Sequence, residues 1–204
     1  MAAITYSNDG TNIFLAAEVA ATGDQVVLKG LVSDLDIWTE AYSPVDGSAG
    51  NVKASTNDPD TMFFYGNFGT DVVIIKHAIA AGTNTDVSPA SVGAREINSL
   101  DGNPTPLYDG SIELICHIDT AADIVYSDDT GVTWSTLTGS SALTSANDIE
   151  VIWRGTYYPH AYIVAGFVFV GPAIYLSPNA GANQIDVIDT ITTTNICSIE
   201  YSGT

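Results

Sequence analysis

The chain repeats itself at a spacing of about fifty residues, and a period of that size restricts it to folds assembled from one supersecondary unit used several times. The clearest copy is Ser127-x-Asp129-x-Gly131-x-Thr133-Trp134. Fifty residues later, Ser177-x-Asn179-x-Gly181-x-Asn183 keeps its outline. Forty-nine residues earlier, Ala78-x-Ala80-x-Gly82-x-Asn84 keeps the glycine and the polar position after it but loses the Ser and Asp. Further upstream, Val26 to Lys29 aligns with Val73 to Lys76, and Trp38 falls near the place where Trp134 would project.

What the unit is made of follows from residue type. Ile, Val and Thr number 59, against 25 for Leu, Met, Glu, Gln, Lys and Arg together, so residues that suit a pleated sheet far outnumber good helix formers. The chain therefore reads as all-β. Strands are expected at Ala3–Ser7, Asn12–Val19 and Gln25–Val32 in the first unit, with a turn at Ala20–Asp24. The second unit gives Val52–Thr56, Thr61–Tyr65 and Asp71–Ala78, with turns at Asn57–Asp60 and Gly66–Thr70. The third gives Arg95–Ser99, Ser111–His117 and Asp123–Ser127; the fourth gives Asp148–Arg154, Ala161–Val170 and Ala173–Ser177. Each unit is a four-stranded antiparallel meander, and such units arranged radially make a β-propeller. Four blades are expected in a single domain, at about 1–45, 46–93, 94–143 and 144–191. Residues 192–204 are expected as a closing strand, because Ile196–Gly203 is similar to Ile4–Gly10 and closure protects sheet edges.

The Ser127–Trp134 segment resembles the Asp-box, or BNR repeat, of sialidases and other propellers; Ser177–Asn183 matches it in part. The resemblance implies that the box sits on the hairpin between the third and fourth strands of a blade. Physical chemistry agrees with a structural role: Asp129 can accept bonds from turn amides, Gly131 can take a positive φ, and Trp134 can pack between blades. The resemblance does not extend to sialidase chemistry. That site holds its substrate with three arginines, and this chain has Arg95 and Arg154 alone. Glycosidase chemistry in general needs two carboxylates facing each other across a cleft. The close acid pairs, Asp34/Asp36, Asp58/Asp60, Asp128/Asp129 and Asp186/Asp189, all read as solvated turn residues.

Other chemistries find little support. His77, His117 and His160 fall in different blades without metal-ligand spacing and read as structural or surface residues. No nucleophile elbow, phosphate-binding loop or dinucleotide fingerprint occurs. Cys116 and Cys197 are expected as two buried free thiols. No cofactor is expected; calcium is the one ion whose oxygen ligands abound, at Asp58/Asp60 and around Asp119, Asp123, Asp128 and Asp129. With 24 acidic against 5 basic residues and a net charge of −19, a nucleic-acid partner is not expected. The opening residues show no export signal, and the apolar run 161–173 is too short and too interrupted to span a bilayer.

Contact surfaces are the remaining candidates. Trp153, Arg154, Tyr157, Tyr158 and His160 mix aromatic and polar groups that suit a protein partner or a glycan. Lys53, Arg95 and Glu150 fall on innermost strands, where they would line a central channel. The expectation is a non-enzymatic interaction module, part of a virion as a capsid decoration or tail-associated protein. It would contact other proteins of an assembly, itself or surface glycans. The alternative is a glycan-binding or glycoside-hydrolase-like propeller protein.

Overall fold

A computed structural model of the chain describes residues 3–43, 50–54, 58–68, 71–90, 97–102, 114–118, 123–136, 149–153, 161–165, 173–176 and 186–190. These residues form strands and turns, and the strands fall into four sheets of four. The first contains β1 (Ala3–Tyr6), β2 (Asn12–Glu18), β3 (Gln25–Leu31) and β4 (Asp34–Tyr42). The second contains β5 (Gly50–Ala54), β6 (Thr61–Phe68), β7 (Asp71–Ala78) and β8 (Thr83–Asp86). The third contains β9 (Ile97–Gly102), β10 (Leu114–Ile118), β11 (Asp123–Ser127) and β12 (Ser135–Thr136). The fourth contains β13 (Ile149–Trp153), β14 (Ala161–Ala165), β15 (Ala173–Leu176) and β16 (Asp186–Thr190). Every pairing is antiparallel between chain neighbours, so each sheet is a simple meander, as the repeat implies.

Two compact units result, residues 1–96 with the first two sheets and 97–204 with the last two. Within each unit the first strands of the two sheets run beside one another, β1 with β5 and β9 with β13. In the first unit the cause is a shared core. Phe14, Ala16 and Val27 lie on one face of the first sheet, because Phe14 and Ala16 alternate along β2 and Val27 is directly across from Ala16. They pack with Val52, Met62, Phe64 and Ile75 of the second sheet and with Ile79, just past β7. The rings of Phe14 and Phe64 are 5.9 Å apart, and Tyr42 stacks on Phe64 at 6.0 Å. Each fully buried side chain of this size contributes about 1.5–3 kcal/mol, so the cluster is the main term holding the two sheets together. On the opposite faces the sheets differ. Phe63 and Ile74 of the second sheet are fully buried, whereas Ile4 and Tyr6 of the first are more than half exposed. In the second unit Leu100, Leu114, Cys116, Ile118 and Val125 are buried.

The turns follow local chemistry. The β2–β3 turn closes where expected, with the Val19 amide donating to the Asp24 carbonyl at 2.8 Å and Gly23 at φ 79°, a conformation open to glycine at no cost. Some boundaries differ from the sequence reading. The Gly-rich stretch after Tyr65 is not a turn up to Phe68: Gly66 pairs with Gly50 on one side and Val73 on the other, so the ladder on both flanks carries β6 onward. Strand β9 likewise runs on to Gly102, past Ser99. Asp34/Asp36 and Asp186/Asp189 lie on β4 and β16, not in turns. Strand β4 ends the order of the first sheet, and its Asp34, Asp36 and Glu40 are exposed, which is why a strand can carry them. Arg95, Ser111 and the proposed closing strand 192–204 lie outside the described residues.

Candidate functional site

The residues that repeat most clearly form a closed hydrogen-bonded turn. Ser127 ends β11 and is buried; the chain returns at β12, where Ser135 pairs with Tyr126. Between them Thr130 and Gly131 take successive left-handed conformations, at φ 58° and 87°. A threonine there costs on the order of 1–3 kcal/mol, which the bonds around it must offset. The Ser127 hydroxyl accepts from the Gly131 amide at 2.8 Å and donates to Asp129 Oδ1 at 2.8 Å. The same carboxylate accepts the Thr133 amide at 2.7 Å on Oδ1 and the Thr133 hydroxyl at 2.7 Å on Oδ2. Burial works against its charge, yet the bonds from Thr133 and Ser127 and the Val132 amide outweigh it and hold Asp129 below the usual carboxylate range. Ser127, Asp129, Gly131 and Thr133 are thus brought together in the turn between β11 and β12, while Trp134 at its end is half-buried.

A second turn of the same chemistry joins β1 to β2, and the sequence reading missed it. Ser7 donates to Asp9 Oδ1 at 2.6 Å, and Asp9 accepts the Thr11 amide at 3.0 Å and the Thr11 hydroxyl at 2.7 Å. The Ser7 hydroxyl accepts the Asn12 amide at 2.9 Å, and Gly10 sits at φ 70°. The bond from Ser7, then those from Thr11, hold Asp9 at a pKa of about 2. Its Ser-x-Asp spacing equals that of Ser127 and Asp129, but its threonine follows two residues after the Asp instead of four. A search aligned on the glycine passes over it. Simpler turns of the kind occur at Asp58, which accepts from the Asp60 amide and the Thr61 hydroxyl, and at Asp86, which accepts from the Ser88 amide. These carboxylates are committed to their own turns.

Two buried polar side chains add chemistry of another kind. His77 on β7 is 2% exposed, with Phe14 at 5.8 Å and Phe64 at 5.1 Å between ring centres. Asn84 donates from Nδ2 to the Ala41 carbonyl at 3.0 Å, which turns its Oδ1 toward His77 Nδ1 at 2.8 Å. His77 is therefore assigned as the Nδ1–H tautomer, and its buried Nε2 has no hydrogen-bond partner among the described residues. Desolvation pushes its pKa down; Asn84 pulls the other way, the nearby Lys29 charge lowers it further and Asp60 opposes. Cys116 is a buried free thiol whose pKa burial raises far above the usual range.

A cleft of about 410 Å³ opens in the first unit between the Ser7–Asn12 and Pro59–Asp60 turns, lined by Asp9, Asn12, Lys29, Pro59, Asp60, Ile79 and Ala80. No linear signal marks this cleft, since its residues come from turns and strands far apart in the chain. Among the described residues no three His, Cys, Asp or Glu side chains are grouped to hold a metal, at Asp58/Asp60 or elsewhere. Of the remaining expected residues, Trp153 ends β13 opposite Ala161. Arg154, Tyr157, Tyr158 and His160, like Ser177, Asn179, Gly181 and Asn183, lie outside the described residues.

Comparison with known proteins bears on the fold. No family model and no curated protein matches the chain. Among solved structures it is similar to the GH74 enzyme of Niastella koreensis, with a TM-score of 0.64 at 14% identity, covering 91% of this chain and 29% of that one. It is also similar to an auxiliary nutrient binding protein from Bacteroides thetaiotaomicron, with a TM-score of 0.54 at 14% identity, covering 96% of this chain and 41% of that one. The chain is an all-β protein of antiparallel sheets whose structural neighbours are propeller-type proteins. It spans less than half the length of either, and at this identity the likeness concerns the fold.

Ser127→Ala leaves the buried Gly131 amide without its acceptor, and we expect a loss of about 1–3 kcal/mol in urea unfolding. An unchanged midpoint would show that the hydroxyl is dispensable. Because the folded His77 has a pKa below its unfolded value of about 6.5, the unfolded chain binds the proton more readily. Stability is therefore complete above pH 6.5 and falls as the pH drops below it. His77→Phe should flatten that slope between about pH 6.5 and 5, measured by urea midpoints at each pH.

Proposed function

We propose that this chain is a non-catalytic β-propeller module that works through contacts, built of Asp-box blades and serving in a virion as an assembly or attachment component. The observation that carries the non-catalytic part is the state of its best-placed acids. Asp9 and Asp129 each accept three bonds from their own turns, so these carboxylates stiffen loops and are spent as reactive groups. The Asp-box reading is supported by the Ser127–Thr133 bonding and by its place between third and fourth strands. Four meanders in chain order support a four-bladed ring. The exposed Ile4 and Tyr6 face of the first sheet supports its closure, since ring closure would cover an apolar face that an isolated pair of sheets leaves wet.

Deleting residues 192–204 tests the ring. On this reading the shortened chain loses cooperative unfolding or melts well below the full chain; an unchanged melting curve refutes closure by that segment. The virion role is tested by mass spectrometry of purified virus particles, where the chain is expected in fixed proportion to the capsid proteins. Recovery of the chain solely as free protein from cell lysate overturns it.

A further inference from the structure

We propose that the cleft between the Ser7–Asn12 and Pro59–Asp60 turns binds a neutral polyhydroxylated ligand, a saccharide recognised through two adjacent hydroxyls. The proposal is independent of the virion reading and rests on the first unit alone. Lys29 is a half-buried member of β3, across from Phe14, and its ammonium donates to the Ile79 carbonyl at 3.1 Å. Among the described residues the Lys29 ammonium pairs with no carboxylate and makes no second hydrogen bond, so it lines the cleft with N–H donors to offer a ligand.

The acceptors are fixed just as firmly. Asp60 accepts the Ala80 amide on Oδ1 at 2.6 Å, while its backbone carbonyl accepts the Ile79 amide at 2.7 Å and its own amide donates to Asp58. Among the described residues no donor is bonded to Asp60 Oδ2. Asn12, 9% exposed, donates to Thr11 Oγ1 at 2.9 Å, and among the described residues no donor is bonded to its side-chain carbonyl. Asp9, at the rim, is ionised at any ordinary pH. Pro59, Ile79 and Ala80 supply apolar wall between these groups.

The mixture decides the ligand class. A metal ion would meet the Lys29 charge, and an anion would meet Asp9, Asp60 and the field of a chain with net charge −19. A hydroxyl both donates and accepts, so adjacent hydroxyls can take the Lys29 N–H bonds and return bonds to Asp60 Oδ2 and Asn12, each strengthening the other. The C–H face of a sugar ring then has Pro59 and Ile79 to lie against. The volume is within the range of small-ligand sites, and the shallow, water-competed setting implies millimolar binding.

The test is an amide-resolved NMR titration of the full chain with glucose, galactose and mannose, and separately with glycine as zwitterion and acetate as anion. Shifts confined to residues around Asn12, Asp60, Ile79 and Ala80 are expected with at least one sugar. Lys29→Met and Asp60→Asn should each weaken that binding about tenfold or more, the loss typical of a bond to a charged group. Asn at position 60 keeps an oxygen for the Ala80 amide, so this variant stays informative if Lys29→Met unfolds. No shifts with any sugar, sugar shifts that both folded variants leave unchanged, or binding of glycine or acetate alone would each overturn the proposal.

Discussion

Face-to-face burial is the constraint on which the rest of this molecule depends. A meander of four short strands has an apolar face and too little core of its own to stand alone. In the first unit the solution is the cluster around Phe14 and Phe64, where side chains from two sheets share one dry layer. That layer fixes which strands are neighbours, and it also determines where the turns emerge. The Ser7–Asn12 turn and the Pro59–Asp60 turn meet at a common cleft because β2 and β6, which follow them, are held together by Phe14, Met62 and Phe64.

Polar groups within this frame are tied down in two ways. Carboxylates at turns take up their own backbone amides and hydroxyls, which converts a flexible loop into a fixed one without help from another element. His77 does the opposite and spans elements: through Asn84 on β8 it reaches the Ala41 carbonyl of β4, so one chain of bonds joins the two sheets. Removal of water from such a link makes it directional, and it makes an added proton costly.

Much of the fold was legible in the sequence. Excess Ile, Val and Thr and a period near fifty residues point to repeated meanders, and β2, β7 and β11 fall almost where expected. Boundaries at glycine were less legible, because Gly66 reads locally as a turn while its neighbours on both sides continue the ladder. Position along the sheet order also matters: Asp34 and Asp36 look like turn residues, yet an edge strand facing water accepts them. The Asp129 turn was legible because its residues are contiguous. Neither the Asp9 turn, with its different threonine spacing, nor the Lys29–Asp60 cleft, gathered from positions 9 to 80, leaves a linear signature.

The outer strand of the first sheet has a colloidal consequence. Strand β4 is the outermost described strand of its sheet, and it also exposes Leu35 and Ile37, a combination that in a neutral strand invites another chain to add on. Asp34, Asp36 and Glu40 interleave with them, so two such edges approaching each other bring like charges together before any ladder can form. Mutual repulsion between those charges keeps a sticky border apart.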